Sequence, residues 1–179
     1  MFPYTQDKVS HRHVLDGVDG YIANEKWDRR FLALAEEVST WSKDPSTKVG
    51  AILVNDLRQV VGMGYNGFAR EVEDTEERLN IRELKYQFVV HAEVNAIIQA
   101  GHGARGSTLY VYPSFMLPPI CADCAKAAIQ AGVKGIVGYE PDETDPRVQR
   151  WADSIAVAKE MWTEAGKFCY AYSEDVNNT

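Results

Sequence analysis

Apolar residues recur at helical spacing from Trp27 onward, with Trp27, Phe31, Leu34, Ala35 and Val38 on one face. Asn24 stands where a helix cap belongs and Asp44-Pro45 closes the segment, so the pattern predicts a core-facing helix. Residues 49–54 and 59–65 are short apolar runs rich in β-branched side chains, joined by Asn55-Asp56-Leu57-Arg58, which predicts an antiparallel hairpin. The helical period then returns twice. Val94, Ala96, Ile97 and Ile98 carry it from His91 to Gly101, and Ala128 and Ile129 carry it from Cys121 to Gly132. Strands are predicted at residues 108–112, ended by Pro113, and at 136–139, ended by Glu140-Pro141. A last helix over about residues 145–165 puts Val148, Trp151, Ile155, Ala158 and Trp162 on one face and stops at Gly166; residues 168–172 alternate as a final strand.

Strand, helix, strand, helix, strand calls for parallel pairing with right-handed crossovers. The pattern therefore predicts an α/β fold of three layers, α/β/α, around a mixed five-stranded sheet made of the hairpin and three parallel strands. A chain of 179 residues that is 45% apolar can bury one core, and no linker, repeat or low-complexity stretch divides it. Residues 1–24, broken by Gly17 and Gly20, read as an N-terminal arm, and residues 25–179 as a single domain. His11-Arg12-His13 in the arm offers too few donors for a metal site of its own.

Composition narrows the partners. A net charge of -7 disfavours a polynucleotide, whose binding draws on basic groups that displace counterions, whereas a small phosphorylated ligand needs only a local positive pocket. No apolar run approaches the length of a membrane helix, and the first residues lack the basic and apolar stretches of a signal peptide, so the expected location is cytoplasmic. Three cysteines make no natural disulfide set; Cys169, in an aromatic run, reads as a small buried apolar residue.

The chemistry gathers at two places, His91-Ala92-Glu93 and Cys121-Ala122-Asp123-Cys124. One imidazole and two thiolates suit Zn²⁺, and three protein ligands leave the fourth tetrahedral position for water. Zinc lowers the pKa of its water from 15.7 to about 7, roughly 12 kcal/mol of activation. Glu93, two residues from His91, is placed to move protons without ligating the metal. His-x-Glu with Pro-Cys-x-x-Cys is the recognised signature of zinc deaminases; here Ile120 precedes Cys121 and the proline is one place further back, at Pro119. A redox pair would leave His91 and Glu93 without a task, and a structural zinc would need a fourth strong ligand, for which His102 is the best candidate. Asn66-Gly67 reads equally as turn chemistry and as a substrate contact at the end of a strand. The charged stretch over 69–85 reads as a solvated helix or loop from which Arg78 or Arg82 can reach a phosphate.

These residues resemble the zinc-dependent cytidine and deoxycytidylate deaminases, and within them the deoxycytidylate (dCMP) deaminases of bacteria and phages. The likeness runs over about residues 25–172 and rests on Trp27-Asp28-Arg29-Arg30-Phe31-Leu32, Ser42-Lys43-Asp44-Pro45-Ser46-Thr47-Lys48-Val49-Gly50-Ala51, Gly64-Tyr65-Asn66-Gly67, His91-Ala92-Glu93-Val94-Asn95-Ala96-Ile97 and Cys121-Ala122-Asp123-Cys124-Ala125-Lys126. It implies the cytidine deaminase fold, zinc on His91, Cys121 and Cys124, Glu93 as proton shuttle, and substrate contacts from Asn66, Ala92, Ser42 and Lys48, with the 42–48 loop near the phosphate end. It implies dCMP as substrate, a homohexamer, and dCTP and dTTP as opposed effectors accompanied by Mg²⁺. One departure is the stretch from Pro113 to Ile120, several residues inserted where the family has a short loop. A deaminase of another amino-heterocycle, such as a pterin or a riboflavin precursor, and a non-catalytic zinc module are the competing readings.

Overall fold

The Asn24 carboxamide oxygen accepts the Trp27 N–H at 3.4 Å and opens helix α1 (Glu25–Ser39). The structure, a computed structural model, describes residues 21–174 together with the backbone of residues 11–15. Helix α1 ends at Thr40, earlier than the expected stop at Asp44-Pro45. The intervening residues form a loop instead, because the buried Asp44 carboxylate accepts the N–H groups of Ser46 at 2.8 Å and Thr47 at 3.1 Å, a local turn that competes with helix.

Strands β2 (Gly50–Val54) and β3 (Val60–Tyr65) form the predicted hairpin, and β2 also pairs antiparallel with β6 (Thr108–Tyr112). β6, β7 (Gly135–Tyr139) and β8 (Phe168–Tyr172) are parallel, as the crossover pattern requires. The five expected strands are thus present, flanked by helices. A sixth joins them: β1 (His11–Leu15), from the segment read as an arm, pairs antiparallel with β8 and covers what would be an open sheet edge, giving the order β1-β8-β7-β6-β2-β3. A five-residue run closely followed by Gly17 and Gly20 carries too little periodicity to announce a strand. Residues 1–10, 16–20 and 175–179 and the side chains of His11, Arg12 and His13 lie outside the described residues.

Side-chain alternation along the strands divides the core into two layers. Ala51, Leu53, Leu109, Val111 and Ile136 face helices α4 (Ala92–Ala100), α5 (Ala122–Ala131) and α7 (Ala152–Glu164); Ile52, Val54, Tyr110, Val137 and Tyr172 face α1. The helix expected over about 145–165 is two helices, α6 (Pro146–Arg150) and α7, broken at Trp151. The break turns the Trp151 ring toward His91, with ring centroids 6.2 Å apart, a tertiary contact that local helical periodicity does not express. The charged stretch holds α2 (Glu76–Asn80) and α3 (Arg82–Phe88) and returns through β5 (Val89–Val90), which pairs with β4 (Gly67–Phe68). Among the described residues no helix is long and apolar enough to cross a membrane.

On the α1 face the Asp28 carboxylate is 1% exposed. It accepts the hydroxyls of Tyr21 at 2.6 Å, Tyr110 at 2.7 Å and Tyr172 at 2.5 Å, and the Asn24 N–H at 3.1 Å. Burial first, and the carboxylate with it, push the three phenols upward, so they stay protonated donors across the physiological range. Asp28 therefore ties α1 to β6, β8 and the entry segment at once. Asp28→Ala leaves three buried hydroxyls without their acceptor and is expected to cost about 3 kcal/mol or more, whereas Tyr172→Phe, which removes one donor of four, costs about 1 kcal/mol. Urea unfolding with an unchanged m-value measures both; equal losses for the two variants would contradict the shared-acceptor account.

Candidate active site

Two close backbone approaches position the site. A Cβ on Gly64 would lie 2.4 Å from the Ala92 carbonyl oxygen and 2.5 Å from the Ala96 nitrogen, so β3 can press against the first turns of α4 only with glycine there. Likewise a Cβ on Gly50 would meet the Ala35 carbonyl oxygen at 2.0 Å, where β2 meets α1. Helix α4 is then pinned to β3 by Asn95, whose amide donates to the Tyr65 carbonyl at 2.9 Å, and by the Gln99 oxygen, which accepts the Met63 N–H at 2.5 Å.

His91 caps α4 and Cys121 caps α5, so two helix N-termini converge. The Cys121 Sγ accepts the Cys124 N–H at 3.5 Å, and the Ser154 hydroxyl on α7 accepts the Ala122 N–H at 2.9 Å, fixing the start of α5. His91 Nδ1 stands 3.4 Å from Cys121 Sγ and 3.3 Å from Cys124 Sγ. For a tetrahedral ion with Zn–S near 2.3 Å and Zn–N near 2.05 Å, the N···S separation is about 3.5 Å. The three ligand atoms, all within 4.8 Å of one another, therefore fit one zinc ion, with Nδ1 as the imidazole donor. His102 is outside this cluster; it lies on an exposed 3₁₀ turn (Gly101–Ala104).

The protons of the cluster are shared unequally. Hydrogen bonding from Cys124, then from His91, draws the Cys121 thiol down to about 4; the same contact pushes Cys124 upward, and the bond to Cys121 raises His91 to about 9. Glu93, in the first turn of α4 and 6% exposed, has its carboxyl raised by burial, opposed by the nearby His91 charge. A carboxyl raised by its surroundings is suited to carrying a proton in both directions.

A cavity of about 330 Å³ opens over these groups, and His91, Ala92, Glu93 and Cys121 form part of its wall. Asn66 lines it too, with its side chain engaged: the amide oxygen accepts the Val49 N–H at 2.8 Å, and the amide nitrogen donates to the Thr47 carbonyl at 2.9 Å. The hydrogen bonds of the turn and a place in the cavity wall are thus combined in one residue. Of the 42–48 loop, Asp44, Ser46 and Thr47 reach the cavity. Ser42 is buried beside it, donating to the Asn66 carbonyl at 2.7 Å, and Lys48 extends to the Thr40 carbonyl at 3.5 Å. Arg82 lines the cavity; Arg78 lies over the Phe88 ring at 4.5 Å.

Other wall residues had no local signal. Lys85, in the charged stretch, is buried and donates to Asp44 at 2.9 Å and to Ser46 at 2.5 Å. Arg147 and Arg150 on α6, with Trp151, close another side, and the inserted stretch contributes Phe115 and Met116. The one trace in the sequence is the i, i+3, i+4 spacing of Arg147, Arg150 and Trp151, which places them on one side of a helix.

The family described as the cytidine and deoxycytidylate deaminase zinc-binding region matches residues 25–140. The chain is 38% identical over 143 residues to an uncharacterized deaminase encoded in the luxG 3′ region of Aliivibrio fischeri, covering 79% of this chain and 90% of that protein. It is also 38% identical over 149 residues to human deoxycytidylate deaminase, covering 79% and 76%. Among solved structures, the dCMP deaminase of cyanophage S-TIM5 in complex with dCMP and dUMP superposes with a TM-score of 0.61 at 25% identity, over 83% of this chain and 98% of the phage chain. A zinc-ligand geometry built at two helix starts, a family match over most of the chain and relatives aligned across more than three quarters of it lead to one assignment: this chain belongs to the cytidine and deoxycytidylate deaminases, zinc-binding hydrolases.

Proposed function

We propose that this protein deaminates dCMP to dUMP and ammonia. The observation that carries the reading is the buried Glu93 carboxyl beside the three converging ligand atoms on the wall of one cavity. His91, Cys121 and Cys124 hold the zinc, which when bound supplies hydroxide at neutral pH by lowering the pKa of its water to about 7. Glu93 takes the proton of that water and gives it to N3 of the pyrimidine. It then takes the proton of the new C4 hydroxyl and passes it to the exocyclic nitrogen, so that the C4–N bond breaks, a C4 carbonyl forms and ammonia leaves. Ala92 lends its backbone at the start of α4, and Asn66 faces the nucleoside while keeping the 44–49 loop in place. Ser42 and Lys48 act through that loop, Ser42 by fixing Asn66. The relatives named deoxycytidylate deaminase support the nucleotide over another amino-heterocycle.

The reading extends to a cytoplasmic homohexamer activated by dCTP and restrained by dTTP, with Mg²⁺ on the triphosphates. Trp41 and Tyr65 meet edge to face at 6.1 Å yet remain 50% and 41% exposed, and Ile98 is 70% exposed, apolar surface that a neighbouring copy would cover. Opposed effectors need two states of different affinity.

Elemental analysis is expected to find about one zinc per chain, lost in Cys121→Ala and in Cys124→Ala; full occupancy in both would overturn the ligand set. Glu93→Ala keeps its zinc and loses roughly 10²–10⁴-fold in turnover, and near-normal turnover would remove Glu93 from the chemistry. In an ammonia-release panel dCMP far exceeds cytidine, pterins and RNA. Light scattering gives a hexamer, and the dCMP curve is sigmoidal alone and nearer hyperbolic with dCTP; a monomer indifferent to both triphosphates would sink the regulatory claim without touching the zinc chemistry.

A further inference from the structure

The cavity wall has a charge pattern that the metal does not explain. Four cations line it, Arg82, Lys85, Arg147 and Arg150, whereas apart from Glu93 at the metal the acidic wall residues are Asp44 and Asp145. Each of these two carboxylates is already matched. Asp44 holds Lys85 at 2.9 Å, and Asp145 grips Arg147 through Nε at 2.9 Å and Nη2 at 2.5 Å. Among the described residues Arg82 and Arg150 have no salt bridge, so the wall carries an excess of two positive charges in a chain whose net charge is -7. A phosphomonoester carries about -1.5 to -2 at neutral pH, which matches that excess.

The placement of Arg147 is equally specific. Its guanidinium lies over the Phe115 ring at 4.8 Å, and Phe115 belongs to the inserted stretch. With Nε and Nη2 taken by Asp145, Nη1 is left without a partner among the described residues, a planar pair of N–H donors of the kind that suits phosphate oxygens. Trp151, one helical turn after Arg147, meets the His91 ring at 6.2 Å, so α6 leads from the cations to the metal ligands. The inserted stretch is itself anchored, since the Ser114 hydroxyl accepts the Tyr139 N–H at 2.8 Å.

We infer that Arg82, Arg147 and Arg150 receive the substrate's 5′-phosphate, and that Phe115 and Asp145 are positioning residues that fix Arg147 for it. This rests on the deaminase reading above and moves the centre of phosphate recognition from the 42–48 loop to α3, α6 and the inserted stretch. The loop keeps a supporting part, because its Asp44 and Ser46 hold Lys85 in the wall.

The test compares zinc-loaded enzyme on dCMP and on deoxycytidine. Arg147→Ala and Arg150→Ala are expected to lower kcat/KM for dCMP by roughly ten- to hundredfold, the size of a lost hydrogen bond to a charged group, while deoxycytidine changes less than about twofold. Phe115→Leu raises KM for dCMP severalfold at unchanged kcat and zinc content, and Phe115→Tyr, which keeps the ring face, restores it. Equal losses on both substrates, or an undiminished dCMP preference in the arginine variants, would overturn the inference while leaving dCMP deamination intact. Calorimetric binding of dUMP against deoxyuridine separates the two readings. Arginine-dependent dUMP binding by a protein that turns over no dCMP would sustain the phosphate site and reject the proposed reaction; binding of dUMP no tighter than deoxyuridine by the unmodified protein would reject the site.

Discussion

One imidazole nitrogen must be brought to within 3.3–3.4 Å of two sulfurs that lie 30 or more residues further along the chain, and the rest of the molecule is arranged around that demand. Two thiolates in a buried place repel each other and lose hydration, so the cluster is tolerable only where positive charge faces it. Hydrogen bonding from Cys124 first, and from His91 after it, draws Cys121 toward the thiolate and pushes Cys124 the other way, at a place where the N-termini of α4 and α5 add favourable partial charge. A bound zinc ion resolves the conflict by charge, and its binding is in part folding energy.

That demand fixes the sheet as well. Helix α4 must approach β3 closely enough for its first turn to reach α5, and the contact is backbone on backbone at Gly64. A larger residue would push His91, Ala92 and Glu93 outward together, since all three ride on the same turn. On the opposite face the Asp28 carboxylate, with three phenol donors, holds α1 across β6 and β8. A buried carboxylate left unpaired would be costly, but four donors satisfy it and make it a specific clamp. The sheet is thereby gripped from both sides, and the ends of β2 and β6, next to the 42–49 loop and the inserted stretch, are held steady beneath the cavity.

The cavity wall is a composite. The metal end comes from two short motifs, each set by a helix start; the cationic side comes from α3 and α6, with Phe115 of the insertion beside it, which have no sequence neighbours in common. Asp145 serves both kinds of order, capping α6 through the Arg147 N–H at 2.8 Å and gripping the guanidinium of the same residue. Local capping and long-range charge placement are achieved by one side chain.

The sequence by itself determined the elements whose signal is local. The hairpin, the parallel strands and the helices beginning at His91 and Cys121 follow from periodicity, caps and β-branched runs, and the zinc chemistry from a donor set whose spacing has few other uses. Resemblance added the family. The tertiary structure decided what depends on residues distant in the chain: β1 pairing with β8, the break at Trp151 that separates α6 from α7, the burial of Lys85 against Asp44, and the gathering of Arg82, Arg147 and Arg150 around one cavity. Apart from the one-sided spacing of Arg147 and Arg150 and the charged stretch that holds Arg82, these have no local signature, because a charged residue in a polar stretch looks the same whether it faces water or a cavity. What separates the two cases is the position of a carboxylate or a ring dozens of residues away, and only the packed sheet fixes that.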